Sequence, residues 1–75
     1  MIVTKKQKKE IGKRIKQVRE EILERTQVEM TKVLKIKQAM ISNIERGDRL
    51  PSVEVLLILN KESDKSIDWI LKGNT

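Results

Sequence analysis

The fold is decided by residues 26–47, which read TQVEMTKVLKIKQAMISNIERG. Thr26 and Glu29 have the spacing of a capping box, in which two side chains accept backbone N–H groups at the start of a helix. The pattern predicts a short helix over about residues 27–33, a break, and a second helix over about residues 37–46. Gly47 stands where a left-handed residue commonly ends a helix. The segment therefore predicts two short helices joined by a tight turn.

Helical signals continue on both sides of this pair. Upstream, a helix is predicted over about residues 8–23, because one apolar stripe recurs at helical spacing: Ile11, Ile15, Val18 and Ile22. Downstream, Ser52 and Ser66 each precede an apolar run and are typical N-cap residues, which predicts a fourth and a fifth helix.

The domain organisation that follows is simple. In this chain of 75 residues, the sequence predicts one all-α domain over residues 10–73, with the helix pair at about residues 27–46. Residues 1–9 are expected to be a basic N-terminal arm or a frayed helix start, since lysines at a helix N-terminus oppose the helix dipole.

The composition argues against an enzyme. The chain has no cysteine and no histidine, which removes zinc fingers, thiol chemistry and histidine catalysis. Its three glycines lie far apart, so no phosphate-cradling loop is expected. We expect no cofactor, no metal and no small-molecule ligand. Neither a signal peptide nor an apolar stretch of about 18 residues is present, so we expect no membrane partner and a cytoplasmic location.

The charge is distributed in blocks. Residues 1–19 carry eight basic residues and one acid, and residues 32–49 carry five basic residues and two acids, whereas the rest of the chain is net acidic. Two basic blocks that converge in the fold are typical of a surface that binds a polyanion. A solvated lysine-rich surface accounts for the charge equally well. With one Trp and no Phe or Tyr, the chain cannot stack several bases, so a nucleic-acid partner is expected to be double-stranded.

Residues 26–47 resemble the helix-turn-helix of the Cro/C1-type family, also called phage repressor-like or XRE. The resemblance extends to IGKRI at 11–15, VREE at 18–21, LPS at 50–52 and SIDWILKG at 66–73, and it covers about 65 of the 75 residues. It implies a compact five-helix lambda-repressor-like domain in which helices 2 and 3 form the helix-turn-helix. It further implies a sequence-specific transcriptional regulator of double-stranded DNA, with a repressor expected, of bacterial, phage or mobile-element origin.

Four positions depart from the family pattern. Lys35 stands where the turn usually has Gly, and a left-handed Lys there costs about 1 kcal/mol. Thr31 replaces a tightly packed Ala, and Lys37 replaces the Ser that caps the third helix. The link between helices 1 and 2 is one residue longer than is typical, with Arg25 in place of Leu. These changes affect the expected local geometry and leave the expected fold unchanged.

The resemblance places the third helix in the major groove, where base edges are distinguishable. With Ile41 and Ile44 facing the core, four outward side chains are the expected base readers: Gln38, Ala39, Ser42 and Asn43. The alternative is an exposed polar face without a partner. Contacts to phosphates are expected from a further set: Gln27, Lys37, Arg46, Arg49 and Lys35. Ordinary surface charge is the alternative for these. For Lys5, Lys6, Lys8 and Lys9, a solvated tail is favoured over a flexible arm that contacts phosphates or the minor groove.

Two further expectations follow from the resemblance. Arg19 and Glu45 are expected to form a structural ion pair between helices 1 and 3. A homodimer on an inverted-repeat operator is expected, because family members commonly bind two half-sites about one helical turn apart. Its possible interface is Leu57, Ile70 and Leu71, although internal core explains these residues equally well. A protein-interaction module or a non-specific DNA binder with the same fold, including an antitoxin-type partner, remains the alternative function.

Overall fold

The first helix begins earlier than the sequence predicts. The computed structural model describes residues 2–73, and in it α1 spans Lys5–Gln17. Thr4 caps it: its hydroxyl accepts the N–H of Gln7 at 3.1 Å, and the Gln7 side chain accepts the N–H of Thr4 at 2.9 Å. This reciprocal pair satisfies two N–H groups at the helix start. Residues 5–9 are therefore helical and do not form a separate arm, while residue 1 lies outside the described residues.

The end of the predicted first helix is a π-helical turn over Val18–Ile22. The N–H of Leu23 donates to the carbonyl of Val18, five residues back, at 2.9 Å. A π-helical turn commonly accommodates one extra residue within a helix, and the link to the next helix is one residue longer than the family pattern. The extra residue shifts the buried register: Ile22 is 39% exposed, and Leu23 packs against the core in its place. The prediction that Ile22 completes the buried stripe is wrong for this reason.

The remaining helices follow the predicted signals. They are α2 Gln27–Leu34, α3 Gln38–Arg46, α4 Val53–Ser63 and α5 Ile67–Lys72. The side chains of Thr26, Ser52 and Ser66 cap α2, α4 and α5, as predicted, whereas Lys37 provides no side-chain cap for α3. Residues 2–73 contain no β-strand, so the predicted all-α, five-helix fold is confirmed.

Two left-handed residues set the directions of α2 and α3. Lys35 has φ 58° between the two helices, as its position in the turn predicts, and Gly47 has φ 85° after α3. The core behind them draws on every α-helix and on the π-helical turn: Ile11, Ile15, Val18, Met30, Leu34, Ile41, Ile44, Val55, Leu56, Leu59 and Ile70.

Close packing of α1 against α3 fixes the second helix of the pair. A Cβ at Gly12 would lie 2.6 Å from the carbonyl oxygen of Glu45, and a Cβ at Gly47 would lie 2.8 Å from the Cα of Lys9. Contacts that short are not tolerated, so only glycine at position 12 allows the two backbones to approach this closely. As a result, α3 is held along α1 with its opposite face turned to solvent.

Candidate nucleic-acid interface

The outer face of α3 is polar, and its inner face is anchored in the core. Ile41 and Ile44 are 2% and 3% exposed. At the N-terminal end of the outer face, Gln38 and Ala39 are exposed, and one turn later Ser42 and Asn43 are half-buried. The structure thus brings the four predicted base readers onto one side of one helix.

Arg46 organises the C-terminal end of this face. Its guanidinium donates to Ser42 Oγ at 2.9 Å and to Asn43 Oδ1, and it forms an exposed ion pair with Asp48 at 3.1 Å. Three predicted site residues therefore lie in direct contact. Asp48 was not predicted to take part, although its position one residue after Gly47 is a signal, because the left-handed turn reverses the chain beside the last turn of α3.

A buried ion pair lies beneath α3. Arg19 donates to both carboxylate oxygens of Glu45, at 2.7 Å and 3.0 Å, and also to the carbonyl of Arg25 at 2.9 Å. Arg19 is 8% exposed and Glu45 is 9% exposed. The hydrogen bond to Glu45 raises the pKa of Arg19, although burial acts in the opposite direction. This bidentate pair ties the π-helical turn after α1 to α3.

Gln27 links that pair to the outer face. Its amide nitrogen donates to Glu45 Oε1 at 3.0 Å, and its amide oxygen accepts a long hydrogen bond from Gln38 at 3.5 Å. The side chain of the predicted phosphate contact Gln27 is therefore directed towards Glu45. Sequence reasoning missed the link between Gln27 and Gln38. The available signal is that each glutamine is the first residue of one helix of the predicted helix-turn-helix pair.

The N-terminus of α2 is capped reciprocally. Glu29 accepts the N–H of Thr26 at 2.8 Å, and the Thr26 hydroxyl accepts the N–H of Glu29 at 3.1 Å. The hydrogen bond from the Thr26 backbone lowers the pKa of Glu29 below its ordinary value, with a further contribution from the Thr26 side chain. The cap is therefore strongest when Glu29 is ionised.

Exposed cations surround the outer face of α3. Lys35 and Lys37 lie in the turn before the helix, and Arg46 and Arg49 lie at and beyond its end. Both ends of a polar helix face thus carry positive charge, an arrangement that suits backbone phosphates on the two sides of a groove.

Comparison with known proteins identifies the fold family. A helix-turn-helix family model matches residues 15–70, which is most of the chain. The chain belongs to the Cro/C1-type helix-turn-helix family. It is 41% identical over 64 residues to the HTH-type transcriptional regulator DicA of Escherichia coli (strain K12), covering 85% of this chain and 47% of that protein. The chain therefore spans about half the length of this curated relative.

A solved structure of the same family is also similar. The P22 c2 repressor, crystallised in complex with a synthetic operator, superimposes with a TM-score of 0.76 at 34% identity, covering 85% of this chain and 96% of that chain. The likeness extends across the lambda-repressor-like domain, and the predicted fold and family are both confirmed.

The three residues predicted for a dimer interface differ in their burial in this helix-turn-helix protein. Ile70 is fully buried in the core of the single chain, so its assignment to a dimer surface is wrong. The short helix α5 packs against both α1 and α4, and Ile70 is its buried residue. Leu57 and Leu71 are 54% and 37% exposed, and two more exposed apolar residues, Leu50 and Val53, occur in the same part of the chain.

Within residues 2–73, no group of acidic side chains could hold a metal ion. None of the helices in that range is both long enough and apolar enough to cross a membrane.

Proposed function

We propose that this chain is a sequence-specific, double-stranded-DNA-binding transcriptional regulator that acts as a repressor. The observation that carries the proposal is the outer face of α3, a polar stripe with cations at both ends and a rigid base formed by Arg19 and Glu45. The DicA relative is named a transcriptional regulator, and the P22 c2 repressor is bound to an operator. An enzymatic activity forms no part of this proposal.

The side chains of the outer face have the chemistry for direct readout. The amides of Gln38 and Asn43 each present a donor and an acceptor, which match the two groups that adenine exposes in the major groove. Ser42 donates or accepts, and the methyl group of Ala39 suits the thymine methyl. In the free protein, Arg46 and Gln27 occupy some of these polar atoms, so that binding exchanges protein partners for base edges.

The flanking groups have the chemistry for positioning. Lys35, Lys37, Arg46 and Arg49 supply cations for phosphates, which orient the protein without reading sequence. The N-terminus of α2 begins at Gln27, where backbone N–H groups and the helix dipole favour an anion. Gln27 has a second role here, because its amide oxygen also accepts the hydrogen bond from the side chain of Gln38.

A homodimer completes the proposed regulator. One α3 reads only a few base pairs, and a second copy related by two-fold symmetry doubles the site. The exposed apolar residues near the C-terminal third provide the proposed surface: Leu50, Val53, Leu57 and Leu71.

The proposal is tested by selection from a random duplex library at about 150 mM salt, near physiological ionic strength. Enrichment of an inverted repeat with half-sites about 10 base pairs apart, centre to centre, supports the proposal. The Gln38→Ala/Asn43→Ala variant is expected to lose the enrichment, and Gln17→Ala, an exposed change on α1, is expected to keep it. Retention without enrichment, or no retention, overturns sequence-specific regulation and favours a backbone binder or a protein-interaction module, respectively.

A further inference from the structure

The N-terminal part of α1 carries a ridge of lysines. Lys5, Lys6, Lys9 and Lys13, together called the lysine ridge here, line one surface groove with Glu10. At 3.6 residues per turn, the four lysines fall within an arc of about 100° around the helix axis. The helix has seven basic residues and one acid in all, so the surface around the ridge is strongly positive although it includes Glu10.

The backbone beneath the lysine ridge is helical, and the charge of the lysines disfavours the start of that helix. The first turn of α1 has no acidic residue, and lysines there oppose the positive end of the helix dipole. The helix nevertheless starts at Lys5, because the Thr4 and Gln7 capping box satisfies its first N–H groups. Four lysines thus extend from regularly spaced helical positions at a cost to local stability, and such a cluster of cations favours a multivalent anion as its partner.

The position of the ridge connects it to the DNA-reading face. The Cα of Lys9 lies so close to Gly47 that a Cβ there would be 2.8 Å away. Gly47 directly follows α3 and lies between the exposed cations Arg46 and Arg49. The positive surface therefore continues from the end of α3, across Lys9, to the start of α1.

We infer that the lysine ridge binds backbone phosphates of the duplex that flanks the base-read site. Lys5 and Lys9 are about 6 Å apart along the axis of α1, close to two steps of about 3.4 Å along one DNA strand. Lysine side chains attached at this spacing can each reach a different phosphate of one strand. Such contacts raise affinity for any sequence and carry no base information. The inference rests on the proposed function for the position of α3 on DNA.

The test compares two double variants on two duplexes. Lys5→Gln/Lys9→Gln removes two ridge charges and keeps the Cγ atom of Lys9 that lies beside Gly47. Lys61→Gln/Lys72→Gln removes two exposed charges from α4 and α5 and is the matched control. Binding is titrated by fluorescence anisotropy between about 50 and 200 mM salt. One duplex holds only the selected site, and the other extends it by about one helical turn, or 10 base pairs, at each end.

The wild type is expected to bind the extended duplex more tightly than the short one. Lys5→Gln/Lys9→Gln is expected to lose that gain and to reduce the salt slope by about 1.8 per bound subunit, because each lost phosphate contact removes about 0.9. Raising the salt from 50 to 200 mM is therefore expected to weaken binding by this variant about tenfold less than it weakens binding by the wild type. The control is expected to keep the gain and the slope.

The inference is overturned if flanking DNA does not raise the affinity of the wild type, or if the two double variants show the same affinities and salt slopes. Thermal unfolding checks that each variant folds, and Lys6→Gln/Lys13→Gln repeats the test with the other half of the ridge. Failure of the proposed function is distinguishable, because it shows as absence of any selected sequence. The same slopes are then measured on unselected duplexes of the two lengths.

Discussion

At the scale of single residues, substitutions of Asn43 and Arg49 are expected to have different effects on DNA binding. Asn43 lies on the outer face of α3, and Arg49 lies exposed beyond its end. Asn43→Ala is expected to relax preference at one base position by about 1–3 kcal/mol, since one bidentate contact is lost. Arg49→Ala is expected to weaken binding to all sequences alike and to lower the salt slope by about one unit. Affinities for single-base variants of the selected site measure both effects, and the choice of recognition face is wrong if both substitutions scale every sequence equally.

The two ion pairs of the site are also expected to contribute different amounts to the free energy of unfolding. Glu45→Ala leaves the buried guanidinium of Arg19 without its carboxylate, and breaking such a pair costs about 3–5 kcal/mol. Asp48→Ala breaks the exposed pair with Arg46, for which about 0–1 kcal/mol is expected. Urea unfolding gives both free energies. Equal losses in the two variants are incompatible with a structural role specific to Arg19 and Glu45.

At the scale of the elements, the turn between α2 and α3 keeps a left-handed lysine. Lys35→Gly is expected to raise the free energy of unfolding by up to about 1 kcal/mol, because glycine adopts this conformation without steric cost. The control is Lys32→Gly within α2, where the same substitution is expected to lower stability by about 1 kcal/mol. Unfolding curves that shift in the same direction for both variants contradict the assigned turn geometry.

The start of α2 is expected to give the domain a pH-dependent contribution. Because the folded pKa of Glu29 lies below its ordinary value, its stabilisation is complete above about pH 4.3 and is lost as pH falls through the folded pKa. The stability difference between wild type and Glu29→Gln is therefore expected to shrink between pH 6 and pH 3. An NMR titration of the Glu29 carboxyl group provides a direct check, and a pKa at or above the ordinary value contradicts the cap.

The starts of α2, α4 and α5 were predictable from the sequence, whereas the start of α1 and the buried register at its end were not. N-caps are local signals, so Thr26, Ser52 and Ser66 identify where α2, α4 and α5 begin. The Thr4 and Gln7 cap has the same spacing, but the adjacent lysines favoured a frayed start. The π-helical turn has no local signature, because its cause is one extra residue absorbed between two packed helices. Apolar periodicity therefore favoured Ile22, whereas the packed structure buries Leu23.

At the scale of the whole molecule, the sequence indicates which positions form the candidate site, but it does not indicate the hydrogen bonds between their side chains. Spacing on α3 identifies its outer face, but the contact of Gln27 with Glu45 depends on tertiary geometry. The contact of Arg46 with Asp48 is local and depends on the left-handed turn at Gly47. The same limit explains Ile70. A short helix with apolar residues on several sides does not reveal which of them faces the core, and only the packing of α5 decides this.

The proposed dimer gives an expectation at this scale. Leu57 is half exposed on α4, so Leu57→Glu is expected to shift the protein from dimer to monomer without unfolding it. Val28→Glu is the matched control, since Val28 is 60% exposed on α2, outside the proposed surface. Sedimentation velocity distinguishes the two states. A monomeric wild type, or a dimer insensitive to Leu57→Glu, contradicts the proposed surface.

The central claim is that this domain reads DNA sequence through α3, and the ratio of two dissociation constants tests it most directly. The constants are those for the selected duplex and for a scrambled duplex of the same length and composition, both measured at about 150 mM salt. A sequence-specific regulator is expected to prefer the selected duplex by at least about 10³-fold. A ratio near one, with both affinities falling steeply as salt rises, means that only the phosphate backbone is bound and contradicts the claim.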